Sequence, residues 1–396
     1  NRLDREIRNF YKLSKPNKME ALARRQVASN VQRIVEKILG TKSYTTEIFG
    51  SARTGLEQAT SDIDIRLMLR DRTGENRKLP KQNERRILKE ALTRLFARGI
   101  VNQQKYTSAK LRHARYPLIT MQHKMSGLEV QIVLANDTSH ARSIMQKYMD
   151  EYPYIRQVFS VLKAMLDVRG LSDVYTGGIG SYPLFMMLVA SLRHSPLPQG
   201  QEDAAAVALL NFLRFWGDFD TSKGISIEPV ELFDKSERLV MPETVRKAIE
   251  RGEAQPLPSY MLCLQDPDDA TNDLGRKITA IKHFKKTCRY LYTKKLRVLQ
   301  FNNLDNLLYD LVGDKYTMEK QLRYKINHYG IAQKRYQQLS ATDEEVSESS
   351  NPASDEPTGS EENLLAMDKE ASEIGEPTAP EQTGGESINP ETKSQA

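Results

Sequence analysis

Residues Phe49–Leu69 read FGSARTGLEQATSDIDIRLML. A β-branched and aromatic run, YTTEIFG (Tyr44–Gly50), ends on a Gly-Ser pair. Polar turn residues follow, and then Asp62 and Asp64 enter a second apolar run one residue apart. Side chains alternate along a strand, so the spacing predicts that Asp62 and Asp64 share a face while Ile63 and Ile65 point to the other. Two carboxylates on one face suit an all-oxygen divalent cation site, for Mg²⁺ or Mn²⁺. Gly50 at a strand end lets the backbone approach a phosphate, and the Ser51 hydroxyl donates a hydrogen bond. A phosphate cradle beside a two-carboxylate metal site is the apparatus of nucleotidyl transfer.

Working outward, MEALARRQVASNVQRIVEKIL (Met19–Leu39) has helical apolar spacing and stops at Gly40. A second amphipathic helix is expected over Lys81–Ile100, and strands over YPLITMQHK and LEVQIVLAN. From Ser139 onward the pattern is helical, with segments at 141–150, 154–170, 180–194, 204–216, 243–251, 272–290 and 302–312. The reading is an α+β chain. Helices at 1–40 pack on a small mixed-sheet domain that spans 41–138, and a mostly α-helical domain spans 139–335. Residues 341–396 carry 15 acidic and 2 basic residues and no aromatics, and are expected to be disordered. The whole chain has a formal charge of +6, so residues 1–340 carry +19. That basic body suits a polyanionic partner. Cys263 and Cys288 offer neither a disulfide framework nor a zinc pattern. The longest apolar run, Tyr182–Leu192, is too short to span a bilayer, and no membrane association is expected.

With FGS followed by SDIDIRL, the chain resembles the DNA polymerase β-like nucleotidyltransferase superfamily, and most of all its non-canonical poly(A) polymerases and terminal uridylyltransferases. The resemblance continues in order. VLKAMLDVRGLSDVYTGGIGSYPLFMMLVASLRH (Val161–His194) looks like the start of the helical central domain. FLRFWGDFD with GISI (Phe212–Ile227) is similar to the poly(A)-polymerase-associated segment, and LQDPDDATNDLGR (Leu264–Arg276) to the nucleotide-recognition loop. These motifs cover roughly residues 20–290. The resemblance implies template-independent transfer of nucleotides from ATP or another NTP to RNA 3′ ends. It implies that Asp62 and Asp64 hold metal, that Gly50, Ser51, Lys163 and Ser181 hold phosphates, and that Tyr182 stacks on the base. Asn272 and Asp273 fall in the recognition loop. That loop lacks the histidine common in uridylyltransferases, so ATP is the expected donor and UTP the alternative. The same acidic loop also reads as a turn before a helix capped at Thr271 or Asn272.

The family needs a third carboxylate on a later strand, and the matching run LEVQIVLAND places Gln131 there. A glutamine takes no proton at neutral pH and binds metal weakly. Three readings follow: a pseudoenzyme that binds nucleotide or RNA, substitution by Glu129 two residues earlier on the same face, or weak activity on two carboxylates. For RNA, the basic and aromatic run Arg276–Arg297 offers Lys282, Lys285, Lys286 and Arg289. No RNA-reading module is recognisable, so a separate RNA-binding protein partner is expected to deliver the substrate. The resemblance implies an intracellular setting, nucleus or mitochondrion.

Overall fold

The structure is a computed structural model. It describes residues 1–70, 82–101, 103–113, 117–134, 138–198, 200–301 and 306–348, with the side chains of 82–84, 295–301 and 341–348 left aside. All but the first eight residues of the acidic segment 341–396 therefore lie outside it. The chain divides into two units, residues 1–340 and 341–396.

Two helices open the chain, α1 (Arg2–Ser14) and α2 (Lys18–Leu39). Strand β1 (Tyr44–Phe49), the one-turn α3 (Ser51–Thr54) and β2 (Ile63–Leu69) follow. Then come α4 (Gln82–Leu95), β3 (Tyr106–Arg112), β4 (Leu118–His123) and β5 (Glu129–Val133). The expected helix over 81–100 is thus split, since Phe96–Ile100 forms a π turn. Strand β3 was not legible in the sequence. It is an edge strand, exposed at Thr107, Ser108, Lys110 and Arg112, with a register shift between Thr107 and Lys110. The sheet order is β1-β2-β5-β4-β3. In this sheet only β2 and β5 run parallel, and β5 is its central strand. Ile63, Ile65, Leu67, Val130 and Ile132 are buried there, against α2 and α4.

The helical part contains α5 (Ser139–Glu151), α6 (Ile155–Asp167), α7 (Ser181–His194) and α8 (Ala204–Asp218). A small sheet of β6 (Lys223–Ser226), β7 (Glu231–Asp234) and β8 (Cys263–Leu264) follows, with α9 (Glu243–Glu250) between β7 and β8. The chain closes with α10 (Ile281–Phe301), α11 (Tyr309–Val312) and α12 (Lys315–Glu348). The core of this part is centred on Trp216, Phe185, Phe212 and Phe284. Leu3 and Ile7 of α1 are buried in this core, whereas α2 belongs to the core of the large sheet.

Helix α10 starts at Ile281, not near 272. Asp266, Asp269 and Asp273 explain the difference, because their carboxylates accept from the backbone of Asp268, Thr271, Leu264 and Gly275. Side chains that bond the local backbone this way favour turns over helix, so neither Thr271 nor Asn272 caps a helix.

Helix α12 returns to the large sheet. Arg323 makes a bidentate pair with buried Glu20, both bonds 2.8 Å, and Glu20 also closes the capping box of α2 with Asn17. At Gly330 any Cβ would lie 2.0 Å from the Met19 carbonyl, so the two helices touch backbone to backbone. Ile326, one turn earlier, and the adjacent Tyr329 enter the sheet core.

The Tyr329 ring packs edge-on to His123 of β4, with centroids 4.9 Å apart, and the Tyr106 ring also meets His123 edge-on, at 5.9 Å. His123 Nδ1 bonds Ser126 Oγ at 2.9 Å. Burial, with Lys105 nearby, pushes the imidazole down to about 4. The folded state therefore keeps His123 neutral where the unfolded chain already binds a proton. Stability is full above pH 6.5 and falls as pH drops from 6.5 towards 4, by about 3 kcal/mol at most from this group. Thermal unfolding of wild type and His123→Phe across that range should show a shallower slope in the variant.

Candidate active site

Strand β1 ends at Phe49, whose register partner on β2 is Asp64. The next residue, Gly50, has φ +67°, and a Cβ on it would lie 2.4 Å from Asp64 Oδ2. Only glycine lets the turn into α3 pass this close to the carboxylate. On the other side of β2, Asp64 pairs with Gln131 of β5, and Gln131 pairs with Thr120 of β4. Asp62 differs from the sequence reading in one respect: β2 begins at Ile63, so Asp62 precedes the strand. It still lines the same cleft as Asp64.

What fixes Asp62 instead is Arg24 of α2, a residue the sequence did not single out. Arg24 is buried. Its guanidinium pairs with Glu57 at 3.0 Å and donates to the carbonyls of Ala59 (3.3 Å), Ser61 (2.5 Å) and Asp62 (3.2 Å). On an amphipathic helix it looks like any polar position, so no local signal marks it.

The cleft holds about 650 Å³. One wall carries Gly50, Ser51, Asp62 and Asp64, and the helical part contributes Lys163, Ser181 and Tyr182. Lys163 is paired with Asp167 one turn on at 3.3 Å. Ser181 and Tyr182 open α7, and the Tyr182 hydroxyl donates to Asp266 at 2.8 Å. The ring is therefore anchored at its tip, lines the cleft and packs, half-buried, against the helical core. Arg142 of α5 also lines the cleft. Its Nη1 lies 3.5 Å from Glu47, while its Nε is buried with no hydrogen-bond partner.

Asn272 and Asp273 do not line the cleft. Asn272 donates to Asp266 at 2.8 Å, and Asp273 is turned inward to the Leu264 and Gly275 amides, its carboxyl raised to about 6 by burial. From that loop it is Asp268 that reaches the cleft, bonded to His140 of α5. The four basic residues of α10 also lie away from it. Lys282 sits over the Tyr260 ring, Lys285 donates to the Phe219 carbonyl, Arg289 to the Gly217 carbonyl, and Lys286 is exposed.

The electrostatics centre on Asp64. Its carboxyl is pushed up to about 7, first by burial and then by the charge of Asp62, with Arg24 pulling the other way. Two carboxylates that oppose each other's ionisation are a fitting donor set for a divalent cation, which would relieve the repulsion. Among the described residues no third acidic, His or Cys ligand completes the group. The third position is Gln131, whose amide donates to Asp62 Oδ2 at 2.6 Å. Glu129 is exposed and outside the cleft, accepting from Gln122 at 2.9 Å. Partial burial and the Asp62 charge raise its carboxyl.

Residues 3–150 match the family model described as poly(A) RNA polymerase, mitochondrial-like, central palm domain. The chain is 27% identical over 283 residues to inactive non-canonical poly(A) RNA polymerase protein Trf4-2 of Drosophila melanogaster, covering 69% of this chain and 63% of that protein. It is 27% identical over 295 residues to poly(A) RNA polymerase CID14 of Cryptococcus neoformans var. neoformans serotype D, covering 72% of this chain and 35% of that one. The chain thus spans less than two thirds of the length of either relative. Among solved structures, the polymerase core of TRAMP, an RNA surveillance complex, matches with a TM-score of 0.63 at 21% identity, over 78% of this chain and 94% of that chain. The fold is shared with that solved polymerase core.

Proposed function

We propose that this chain, which belongs to the family of non-canonical poly(A) RNA polymerases, adds adenylates from ATP to RNA 3′ ends without a template. The observation that carries the reading is the convergence of Asp62, Asp64, Gly50 and Ser51 with Lys163, Ser181 and Tyr182 on one cleft. In the proposed reaction the RNA 3′-hydroxyl attacks the α-phosphorus of ATP. The new O–P bond extends the RNA by one adenylate, the bond from the α-phosphorus to the bridging oxygen breaks, pyrophosphate leaves, and the hydroxyl proton passes to solvent because the Gln131 amide takes none. Asp62 and Asp64 are the residues that would hold Mg²⁺ or Mn²⁺, which when bound polarises the phosphate. Gly50 and Ser51 approach the phosphate chain by backbone and hydroxyl, Lys163 and the unpartnered Nε–H of Arg142 meet its charge, and the anchored Tyr182 ring stacks on the base. An intracellular setting in nucleus or mitochondrion is part of the proposal, in keeping with the mitochondrial-like description of the palm. So is a separate RNA-binding protein, since the TRAMP core is itself part of a complex.

A second reading, a nucleotide- or RNA-binding protein that no longer transfers, is favoured by one contact. Gln131 gives the site a hydrogen-bond donor to Asp62 in place of a proton acceptor, and one relative is itself named inactive. Primer extension on an oligoadenylate separates the readings, with each NTP supplied alone and with Mg²⁺ or Mn²⁺. The expected result is extension by ATP ahead of UTP, lost in Asp64→Ala. Preference for UTP makes the chain a uridylyltransferase, and extension that arises only after Gln131→Asp supports the second reading.

A further inference from the structure

Asp167, the last residue of α6, lies one helical turn beyond Lys163 and lines the same cleft. Its two oxygens hold two different ammonium groups. Oδ1 is 3.3 Å from Lys163 Nζ, and Oδ2 accepts from Lys315 Nζ at 2.9 Å. Burial pushes the Asp167 carboxyl up, but Lys163 and Lys315 outweigh it and hold the carboxyl below the usual range.

Lys315 is the first residue of α12 and also lines the cleft. Its side chain is only 13% exposed, and Glu319 accepts from it at 2.8 Å. The helix behind it is fixed by the Arg323–Glu20 pair and the Gly330–Met19 contact. Lys315 is therefore aimed into the cleft by the packing of a helix that lies beyond every motif carrying the family resemblance.

We propose that Lys315 is a further residue of the nucleotide's triphosphate site, bracketing the phosphate chain with Lys163, and that Asp167 positions both ammonium groups. The inference rests on the nucleotide-binding reading above. An ammonium has three N–H donors. Asp167 and Glu319 take two of those on Lys315, which leaves one for an anion. Two ammonium groups alone in a half-dry cleft repel each other, and a shared carboxylate removes that repulsion before the nucleotide arrives. A triphosphate offers more oxygens and more charge than Asp167, so it competes for the same donors. Glu319 faces the same space with the wrong sign and opposes the anion.

Titration calorimetry of ATP and of adenosine onto the full chain tests this, for wild type, Lys315→Met, Lys163→Met and Glu319→Gln. Adenosine carries base and ribose but no phosphate. The expected result is a loss of ATP affinity of about tenfold or more in Lys315→Met, with adenosine unchanged. Glu319→Gln keeps Lys315 and should bind ATP severalfold more tightly, which serves as the test should Lys315→Met fold poorly. Unchanged ATP affinity in Lys315→Met and Glu319→Gln, while Lys163→Met loses it, removes Lys315 from the site. An equal loss for ATP and adenosine in Lys315→Met also overturns the assignment, because it marks damage to the cleft as a whole. If wild type binds no ATP at all, the nucleotide reading itself fails and takes the inference with it.

Discussion

Gln131→Asp is expected to raise the rate of RNA 3′ extension by about a hundredfold or more. The position is fixed by the sheet: Asp64 and Gln131 are direct neighbours on the parallel β2–β5 pair, and the Gln131 amide touches Asp62 at 2.6 Å. An aspartate there sits beside both existing carboxylates. It can take a proton or share a cation, neither of which the amide does well at neutral pH. The same substitution has a cost that gives an independent readout. With no cation it places a third negative charge where Asp64 is already pushed up to about 7 by burial and Asp62. Gln131→Asp should therefore unfold at lower temperature than wild type in EDTA, and recover more than wild type when Mn²⁺ is added. Primer extension and thermal unfolding on the same preparation check both. A variant that unfolds as expected yet extends no faster than wild type would mean that the missing carboxylate does not limit transfer.

How far the sequence reveals this site depends on how local each contact is. Gly50, Ser51, Asp62 and Asp64 are legible because strand, turn and strand bring them together within a few residues. So is the core face of α2, whose apolar spacing runs unbroken from its capping box to Gly40. The pairing of β2 with β5 is not local, yet the position of Gln131 follows from the family resemblance and the hydrogen bond agrees with it. Arg24, Arg142 and Lys315 carry no such signal. Each is a polar residue on a helix, and only the packing of that helix against a distant segment aims it at the cleft. Helix α12 is not legible in the sequence because its basic and tyrosine-rich stretch has weak apolar periodicity, while Ile326, Tyr329 and Gly330 do the packing. At Leu264–Arg276 the sequence points to the wrong element for a physical reason of another kind. Acidic residues before an apolar run are the mark of a helix start, but here the carboxylates of Asp266, Asp269 and Asp273 bond the backbone amides of their own turn.

Arg24→Met is expected to cost about 3–5 kcal/mol of stability and to reduce extension about a hundredfold. The two effects have one origin. Asp62 lies before β2 begins, so no ladder bond of the sheet holds it there. Its carbonyl, with those of Ala59 and Ser61, is tied to a single guanidinium that also pairs with Glu57. A methionine fills the space but leaves a carboxylate without its ion pair and three carbonyls without this donor. The loop then gains freedom at the residue that meets the amide of Gln131 and that, in the proposed site, would hold the metal. Arg24→Lys keeps the charge and loses the fork, since an ammonium cannot reach four oxygens spread along six residues. Its stability should fall between wild type and Arg24→Met, while extension stays close to that of Arg24→Met, because placement of Asp62 rather than charge is what fails. Thermal melts beside primer extension separate the two quantities. Full extension in Arg24→Lys would show that the positive charge beside Asp64, which already pulls its carboxyl down, is what the site needs from Arg24.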